Sequence, residues 1–146
     1  MHLDRELTTV PESVIISRNY PNNYDLNSKC AATVKFEQNE NIVLYFHDFN
    51  IQGESECRKD YLEVSSVSKE NRTILKQLCG PTIPAPISLN DTTAYLYFHS
   101  DNSLTNTGFV IYLDRGKIHL INITPLMLFQ NTNLHAIFIK INIIIF

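Results

Sequence analysis

The feature that most limits how this chain can fold is a series of short segments in which apolar and more polar residues alternate. The clearest is Ala94–His99, which reads Ala-Tyr-Leu-Tyr-Phe-His, with its small and aliphatic or Phe side chains at every second position. A period of two places successive side chains on opposite faces of a β-strand. No ten-residue stretch sustains the helical period of 3.6, so the chain is predicted to be built from strands.

Similar segments recur at spacings near ~8–12 residues, with Asn, Asp, Pro and Gly between them. They are Ser13–Ser17, Ala32–Phe36, Ile42–Phe49, Tyr61–Val64, Ile74–Leu78 and Phe109–Leu113. Short strands at such spacings favour an antiparallel β-sandwich or barrel. The predicted fold class is therefore all-β, and 146 residues leave room for one domain with a hydrophobic core.

Composition and charge narrow the classes of partner. The chain is 44% hydrophobic and 18% charged, which is typical of a globular protein. Its formal net charge of −3 provides no basic field, so nucleic acid is not a predicted partner. Lys117 and Lys140 are the only full charges after Arg115, which leaves ten basic and fifteen acidic residues, a net charge of −5, in residues 1–115. This acidic part favours cations or basic partner surfaces.

The two ends of the chain differ from its middle. The first residues, from Met1 to Leu7, have no apolar core typical of a signal peptide. After Gly116 the composition shifts to Ile, Asn, Leu and Phe, but Pro125 and Lys140 interrupt it, so no membrane span is predicted. We expect a domain at 1–115 and a hydrophobic tail at 116–146. The tail fits a membrane-surface segment, a segment packed on a neighbouring domain, or translated non-coding sequence, and we favour the last.

The three cysteines, Cys30, Cys57 and Cys79, are an odd number for a small domain. Such a count indicates one disulfide and one thiol, while the alternative is three reduced cysteines in a cytosolic protein. No two cysteines have the close spacing of zinc ligands, so a zinc site is not predicted.

Three stretches of the sequence carry motifs that are weak singly but specific in this order. The first is Asn19–Tyr24, and the second joins Phe49–Gln52 to Cys57–Val64. The third joins Cys79-Gly80-Pro81 to Phe98–Ser103 and Thr107-Gly108-Phe109. The ordered set resembles the CUB domain, an extracellular module of complement proteases, tolloid-type proteases, neuropilins and cubilin. The resemblance covers about residues 6–114.

The resemblance implies a jelly-roll-like β-sandwich, extracellular or secreted placement and a disulfide between Cys57 and Cys79. In the family the residue matching Cys30 pairs with a cysteine near the N-terminal end of the domain. Here that neighbourhood, Leu3–Leu7, contains no cysteine. We therefore expect either a domain truncated at its N-terminus or an unpaired, buried Cys30.

The resemblance also implies a Ca²⁺ site between the loops at one end of the sandwich. Ca²⁺ takes oxygen ligands and needs carboxylates to offset its charge. Carried over position by position, the family pattern implies a metal site of Tyr24, Gln52, Asp60, Asp101 and Ser103. Gln52 departs from the pattern, because the family has glutamate there, so the site has one negative charge fewer. The alternative is that Asp60 and Asp101 only hydrogen-bond loop backbone.

In calcium-binding members of the family this acidic end receives a Lys or Arg side chain from a protein partner. If that mode operates here, the basic group is expected to meet Asp101, Asp60 and Tyr24. The resemblance thus implies a protein ligand.

No nucleophile motif, metalloprotease motif or phosphate-binding glycine loop occurs, so no catalytic residue is predicted and the chain is not expected to be an enzyme. We expect a non-catalytic extracellular recognition module from a longer multidomain protein. Two alternatives are the accessory module of a secreted serine or metalloprotease, and a free-standing adhesive or carbohydrate-binding secreted protein.

Three glycosylation sequons begin at Asn71, Asn90 and Asn122. Asn71 and Asn90 lie in predicted loops, so both are candidate glycosylation sites of a secreted glycoprotein. Asn122 lies in the tail and is not selected.

Overall fold

The computed structural model describes residues 5–8, 13–35, 42–69, 71–114 and 142–145. These residues form β-strands and a single 3₁₀ turn at Ser55–Cys57. No helix among them is long and apolar enough to cross a membrane. The strands are β1 (Arg5–Thr8), β2 (Ser13–Ile16), β3 (Lys29–Lys35), β4 (Ile42–Asn50), β5 (Tyr61–Val67), β6 (Arg72–Leu78), β7 (Ile87–Leu89), β8 (Thr93–His99), β9 (Gly108–Asp114) and β10 (Asn142–Ile145).

The strands pair into two five-stranded sheets. Sheet A has the order β1-β3-β8-β5-β6, and sheet B has the order β10-β2-β9-β4-β7. The strands β2 to β9 pair antiparallel within each sheet. At one edge of each sheet a parallel strand is added, β1 beside β3 and β10 beside β2. The predicted all-β sandwich is confirmed.

The core lies between the inner faces of the two sheets. In β8 the predicted alternation is confirmed, because Ala94, Leu96 and Phe98 are at most 2% exposed while the residues between them are only half-buried. Fully burying one large apolar side chain stabilises the fold by about 1.5–3 kcal/mol. The other strands supply further buried side chains: Ile15, Val34, Leu44, Leu62, Val64, Ile111 and Leu113.

A disulfide fixes the segment that precedes β5. Cys57 and Cys79 are bonded, with Cα atoms 5.5 Å apart, as the resemblance implied. Closing a loop of about 20 residues contributes on the order of 3 kcal/mol in the chain-entropy model. Beside it, Ile51 and Gly80 exchange two backbone hydrogen bonds of 3.1 and 2.9 Å. Together these links tie residues 51–57 to the end of β6.

Cys30 has a free thiol. It lies on β3, packs partly buried against the core, and its pKa is raised because burial disfavours the thiolate. The neighbourhood in which the family places its partner includes residues 1–4, which lie outside the described part of the chain.

The end of the predicted tail adds a strand to sheet B. Ile143 of β10 pairs with Val14, and Ile145 pairs with Ile16 and is 71% exposed. Residues 115–141, which include the predicted boundary between domain and tail and the Asn122 sequon, lie outside the described residues. The division at residue 115 stays a prediction.

Candidate functional site

Loops from both sheets meet at one end of the sandwich. In sheet A, β3 and β5 begin at the end where β8 finishes, because Lys29 and Tyr61 both pair with His99. In sheet B, β4 finishes where β9 begins, because Asn50 pairs with Gly108. We call the three loops at residues 17–28, 51–60 and 100–107 the loop end.

Asp60 joins the three loops through its carboxylate. The side chain lies directly before β5 and is 0% exposed. Its Oδ2 accepts a 2.5 Å hydrogen bond from the Tyr24 hydroxyl, and its Oδ1 accepts a 2.7 Å bond from the backbone N–H of Asp101. Each carboxylate oxygen therefore has one donor from a different loop, and it retains lone pairs for further ligands.

Tyr24 holds the Asp60 carboxylate in place from the core side of the cluster. Its ring is 3% exposed and meets Phe98 edge to face at 5.0 Å. Its hydroxyl also accepts a 3.0 Å bond from the backbone N–H of Gln52. Burial, followed by the hydrogen bond to Asp60, raises the pKa of Tyr24. The phenol therefore stays protonated at neutral pH and keeps donating to the carboxylate.

Gln52, Asp101 and Ser103 form the outer part of the cluster. The Ser103 hydroxyl lies 2.6 Å from Oδ1 of Asp101 and 3.3 Å from Oε1 of Gln52. Gln52 is 7% exposed, whereas Ser103 is exposed and Asp101 is partly so. Hydrogen bonds from the Ser103 hydroxyl and backbone N–H lower the pKa of Asp101, with a smaller contribution from Lys59. Asp101 is therefore ionised at neutral pH.

Gly108 determines how the third loop joins β9. Its φ is +87°, and a β carbon there would lie 1.9 Å from the Ser17 hydroxyl oxygen, so the position requires glycine. That hydroxyl accepts a 2.9 Å bond from the backbone N–H of Phe109. The carbonyl of Asn106, two residues before Gly108, accepts a 3.0 Å bond from the backbone N–H of Tyr24.

All five residues that the resemblance implied as a metal site therefore lie in one hydrogen-bonded cluster: Tyr24, Gln52, Asp60, Asp101 and Ser103. The two nearby glutamates have other contacts. Glu54 accepts a 2.6 Å bond from the backbone N–H of Arg58, and Glu56 forms an exposed ion pair with the Arg58 side chain. Neither replaces the carboxylate that Gln52 lacks.

A second layer of polar contacts was not foreseen from the sequence. Ser100 is 1% exposed; its hydroxyl donates a 2.7 Å bond to the carbonyl of Asp25 and accepts a 2.8 Å bond from the N–H of Ser28. The backbone N–H of Asn27 donates a 2.8 Å bond to the Asp101 carbonyl. These bonds fix the first loop to the third. The one feature of the sequence that could have indicated these contacts is the position of Ser100 inside the Phe98–Ser103 motif.

The chemistry of the cluster fits a hard divalent cation. Every side-chain atom that it offers as a ligand is oxygen, and the two carboxylates match the charge of Ca²⁺. Burying an ionised carboxylate is costly unless a cation compensates it, and Asp60 forms no ion pair with any described residue. No group of three or more His, Cys, Asp or Glu side chains gathers as a metal site within the described ranges. The cluster has only two such side chains, Asp60 and Asp101, because position 52 is glutamine and not glutamate.

Sandwich topology and loop-end carboxylates together define the class: a β-sandwich module that carries an oxygen-rich polar cluster between its loops. The model of the CUB domain matches residues 4–113. The chain belongs to the CUB domain family, and the resemblance seen in the sequence is confirmed.

Relatives carry this module within longer chains. Human cubilin is 37% identical over 95 residues, which are 65% of this chain and 3% of cubilin. Mouse tolloid-like protein 1 is 31% identical over 99 residues, which are 68% of this chain and 10% of that protein. The crystal structure of the MASP-1 CUB2 domain bound to Ca²⁺ superposes with a TM-score of 0.67 at 31% identity, covering 77% of this chain and 99% of that one.

Proposed function

We propose that this chain is a non-catalytic, extracellular protein-recognition module whose loop end binds one Ca²⁺ and then receives a Lys or Arg side chain from a protein partner. The observation that carries the proposal is Asp60, a fully buried carboxylate held between loops without a compensating cation among the described residues. A bound cation would offset the cost of burying a carboxylate there. The disulfide between Cys57 and Cys79 supports extracellular placement, because such bonds persist in oxidising compartments.

Four residues would hold the ion. Asp60 and Asp101 would supply carboxylate oxygens, Gln52 a neutral carbonyl oxygen, and Ser103 a hydroxyl or backbone oxygen. Tyr24 would act through Asp60, because its hydroxyl donates to Oδ2 and fixes the orientation of that carboxylate. The cation would supply positive charge between two acidic loops and so stabilise their arrangement. A protein with the same fold, MASP-1 CUB2, has been crystallised with Ca²⁺ bound, which supports this assignment.

Exposure restricts which residues a partner can touch. Asp60 and Tyr24 are at most 3% exposed, so a basic side chain from outside cannot reach them without opening the loops. Asp101 is partly exposed and Ser103 is exposed, so they form the accessible edge of the cluster. The partner's Lys or Arg would therefore meet Asp101, while Asp60 and Tyr24 would position the site from beneath.

Calcium binding is tested by isothermal titration calorimetry of the full chain after treatment with chelator. We expect one Ca²⁺ per chain, with Kd in the range of about 10⁻⁴–10⁻³ M found for extracellular modules. Asp101→Ala should weaken binding at least tenfold, because one of only two carboxylates is lost. Glu56→Gln is the matched control, since this exposed acid lies in the loop at 51–60 and its carboxylate is ion-paired with Arg58. Absence of heat and of thermal stabilisation at about 10 mM Ca²⁺, well above that range, would contradict the proposal.

The partner mode is tested with an immobilised peptide that displays lysine side chains, measured by surface plasmon resonance. Binding should require Ca²⁺, fall at least tenfold with Asp101→Ala and weaken as salt increases, because an exposed charge pair is screened. Replacing the peptide lysines by glutamine gives the matched control. An affinity that chelator leaves unchanged would rule out this mode of recognition.

A further inference from the structure

The two sequons in the described part of the chain lie directly beside an edge strand of each sheet. Asn71 immediately precedes β6, the outermost strand of sheet A. Asn90 immediately follows β7, the outermost strand of sheet B. At their other edges the sheets carry β1 and β10 instead. Each sequon therefore places an asparagine next to an edge strand, one in each sheet.

Local structure leaves both asparagine side chains accessible. Asn71 and Asn90 are exposed, and neither side-chain amide hydrogen-bonds to another described residue. The turn at Asn71 is held by its backbone instead, because its carbonyl accepts a 3.0 Å bond from the N–H of Ser68. The turn at Asn90 is fixed by its neighbour Asp91, whose carboxylate contacts the Ser66 hydroxyl. A bulky substituent on either amide would therefore displace none of these contacts.

The β6 edge beside Asn71 is a surface on which other chains can associate. β6 has seven residues, most of them exposed, and its unpaired backbone groups can pair with another strand. Ile74 on this strand is 58% exposed, and Ile83, in the segment between β6 and β7, is 52% exposed. An exposed edge with large apolar side chains is a site for association with other chains.

We propose that Asn71 and Asn90 carry N-linked oligosaccharides, and that these oligosaccharides shield the free edges at β6 and β7 from pairing with other chains. The donor is an oligosaccharide linked to a lipid through diphosphate. The amide Nδ2 forms a bond to the anomeric carbon, the bond from that carbon to the diphosphate oxygen breaks, and the amide loses one proton. This inference rests on the extracellular placement in the proposed function.

The glycans would stand away from the loop end. Asp60 directly precedes β5, whereas Asn71 follows the far end of that strand, which is seven residues long. At about 3.3 Å per residue the two sites are separated by roughly 20 Å along the sheet. Asn90 lies at the same far end, since its neighbour Asp91 contacts Ser66 near the end of β5. Both edges would be covered while the cluster around Asp101 stays open to a partner.

Occupancy is tested on the full chain secreted from eukaryotic cells, in an Asn122→Gln background that removes the third sequon. Treatment with peptide N-glycosidase should increase gel mobility by the amount expected for two glycans. Asn71→Gln and Asn90→Gln should each remove one glycan, and the double variant should have none. Thr73→Ala and Thr92→Ala repeat the test with the asparagines retained, and Thr73→Ser and Thr92→Ser, which keep the sequons, are the matched controls. Mobility unaffected by the glycosidase would overturn the proposal, as would glycans that persist in the double variant.

Shielding is tested by multi-angle light scattering of the glycosylated protein and the double Asn71→Gln/Asn90→Gln variant. The double variant should have at least twice the parent's weight-average mass at a concentration where the parent is monomeric. Adding Ile74→Lys, a charge on the β6 edge, should return it to the monomer mass. A double variant as monomeric as the parent, or association that Ile74→Lys leaves unchanged, would overturn shielding. Calorimetry with Ca²⁺ on the unglycosylated protein tests the proposed function separately.

Discussion

Replacing Asp60 by alanine is expected to abolish calcium binding and to lower the free energy of unfolding by about 2–4 kcal/mol, because one buried and one partly buried donor lose their acceptor. The donors are the Tyr24 hydroxyl and the backbone N–H of Asp101, which bond to opposite oxygens of this carboxylate. Urea denaturation of the full chain measures the change directly. The alanine variant alone cannot separate loss of stability from loss of calcium binding, because removing a fully buried side chain also leaves a cavity.

Asp60→Asn separates the two roles. Asparagine keeps the volume, and its Oδ1 can still accept from the backbone N–H of Asp101, but its Nδ2 cannot accept from the Tyr24 hydroxyl. In chelator we therefore expect a loss of about 1–3 kcal/mol for the one unpaired donor, without the cavity that alanine leaves. Asparagine lacks the charge, so saturating Ca²⁺ should stabilise the parent by about 2.7 kcal/mol at 100 times Kd and leave the variant unchanged. Equal stabilisation of both proteins by calcium would show that the ion binds elsewhere.

Much of the fold could be predicted because most inner strands place alternate residues in the core. β4, β8 and β9 each present a regular series of apolar side chains to one side, so periodicity alone located them. Three strands were not predicted: β1, because Arg5–Thr8 has no apolar alternation, β7, because Ile87–Leu89 is only three residues long, and β10, which lies in the tail. Such strands form through pairing with a neighbour, which depends on tertiary context.

The site could not be derived from spacing. Tyr24, Gln52, Asp60 and Asp101 come from three loops that are distant in sequence, so only the family resemblance suggested that they meet. The resemblance did not reveal their exposure. Nothing in the residue pattern distinguishes the fully buried Asp60 from the partly exposed Asp101, since both are loop aspartates next to a strand. The difference arises from packing between the loops, where Asp60 lies between the Tyr24 hydroxyl and the backbone of Asp101.

Replacing Gln52 by glutamate is expected to increase calcium affinity by about one to two orders of magnitude, which is about 1.4–2.8 kcal/mol. The side chain is 7% exposed, and its Oε1 lies 3.3 Å from the Ser103 hydroxyl, which also bonds to Asp101. A glutamate of nearly equal shape would therefore add a third carboxylate to the same cluster. At an effective dielectric constant of about 20, two unit charges 4 Å apart interact by about 4 kcal/mol, which is enough for such a gain after desolvation.

The sign of the Gln52→Glu effect on stability should reverse with calcium. In chelator, burial and the charges of Asp60 and Asp101 raise the pKa of the new carboxyl above its unfolded value. Its ionisation then opposes folding, so the variant should be less stable than the parent at neutral pH and should regain stability as acid protonates it. In saturating Ca²⁺ the repulsion is compensated and the variant should be the more stable protein. Ser88→Glu, at an exposed position on β7, is the control for the added charge. A Gln52→Glu variant that binds calcium no better than the parent would show that residue 52 does not ligate the ion. A carboxylate in contact with a bound cation would increase its affinity.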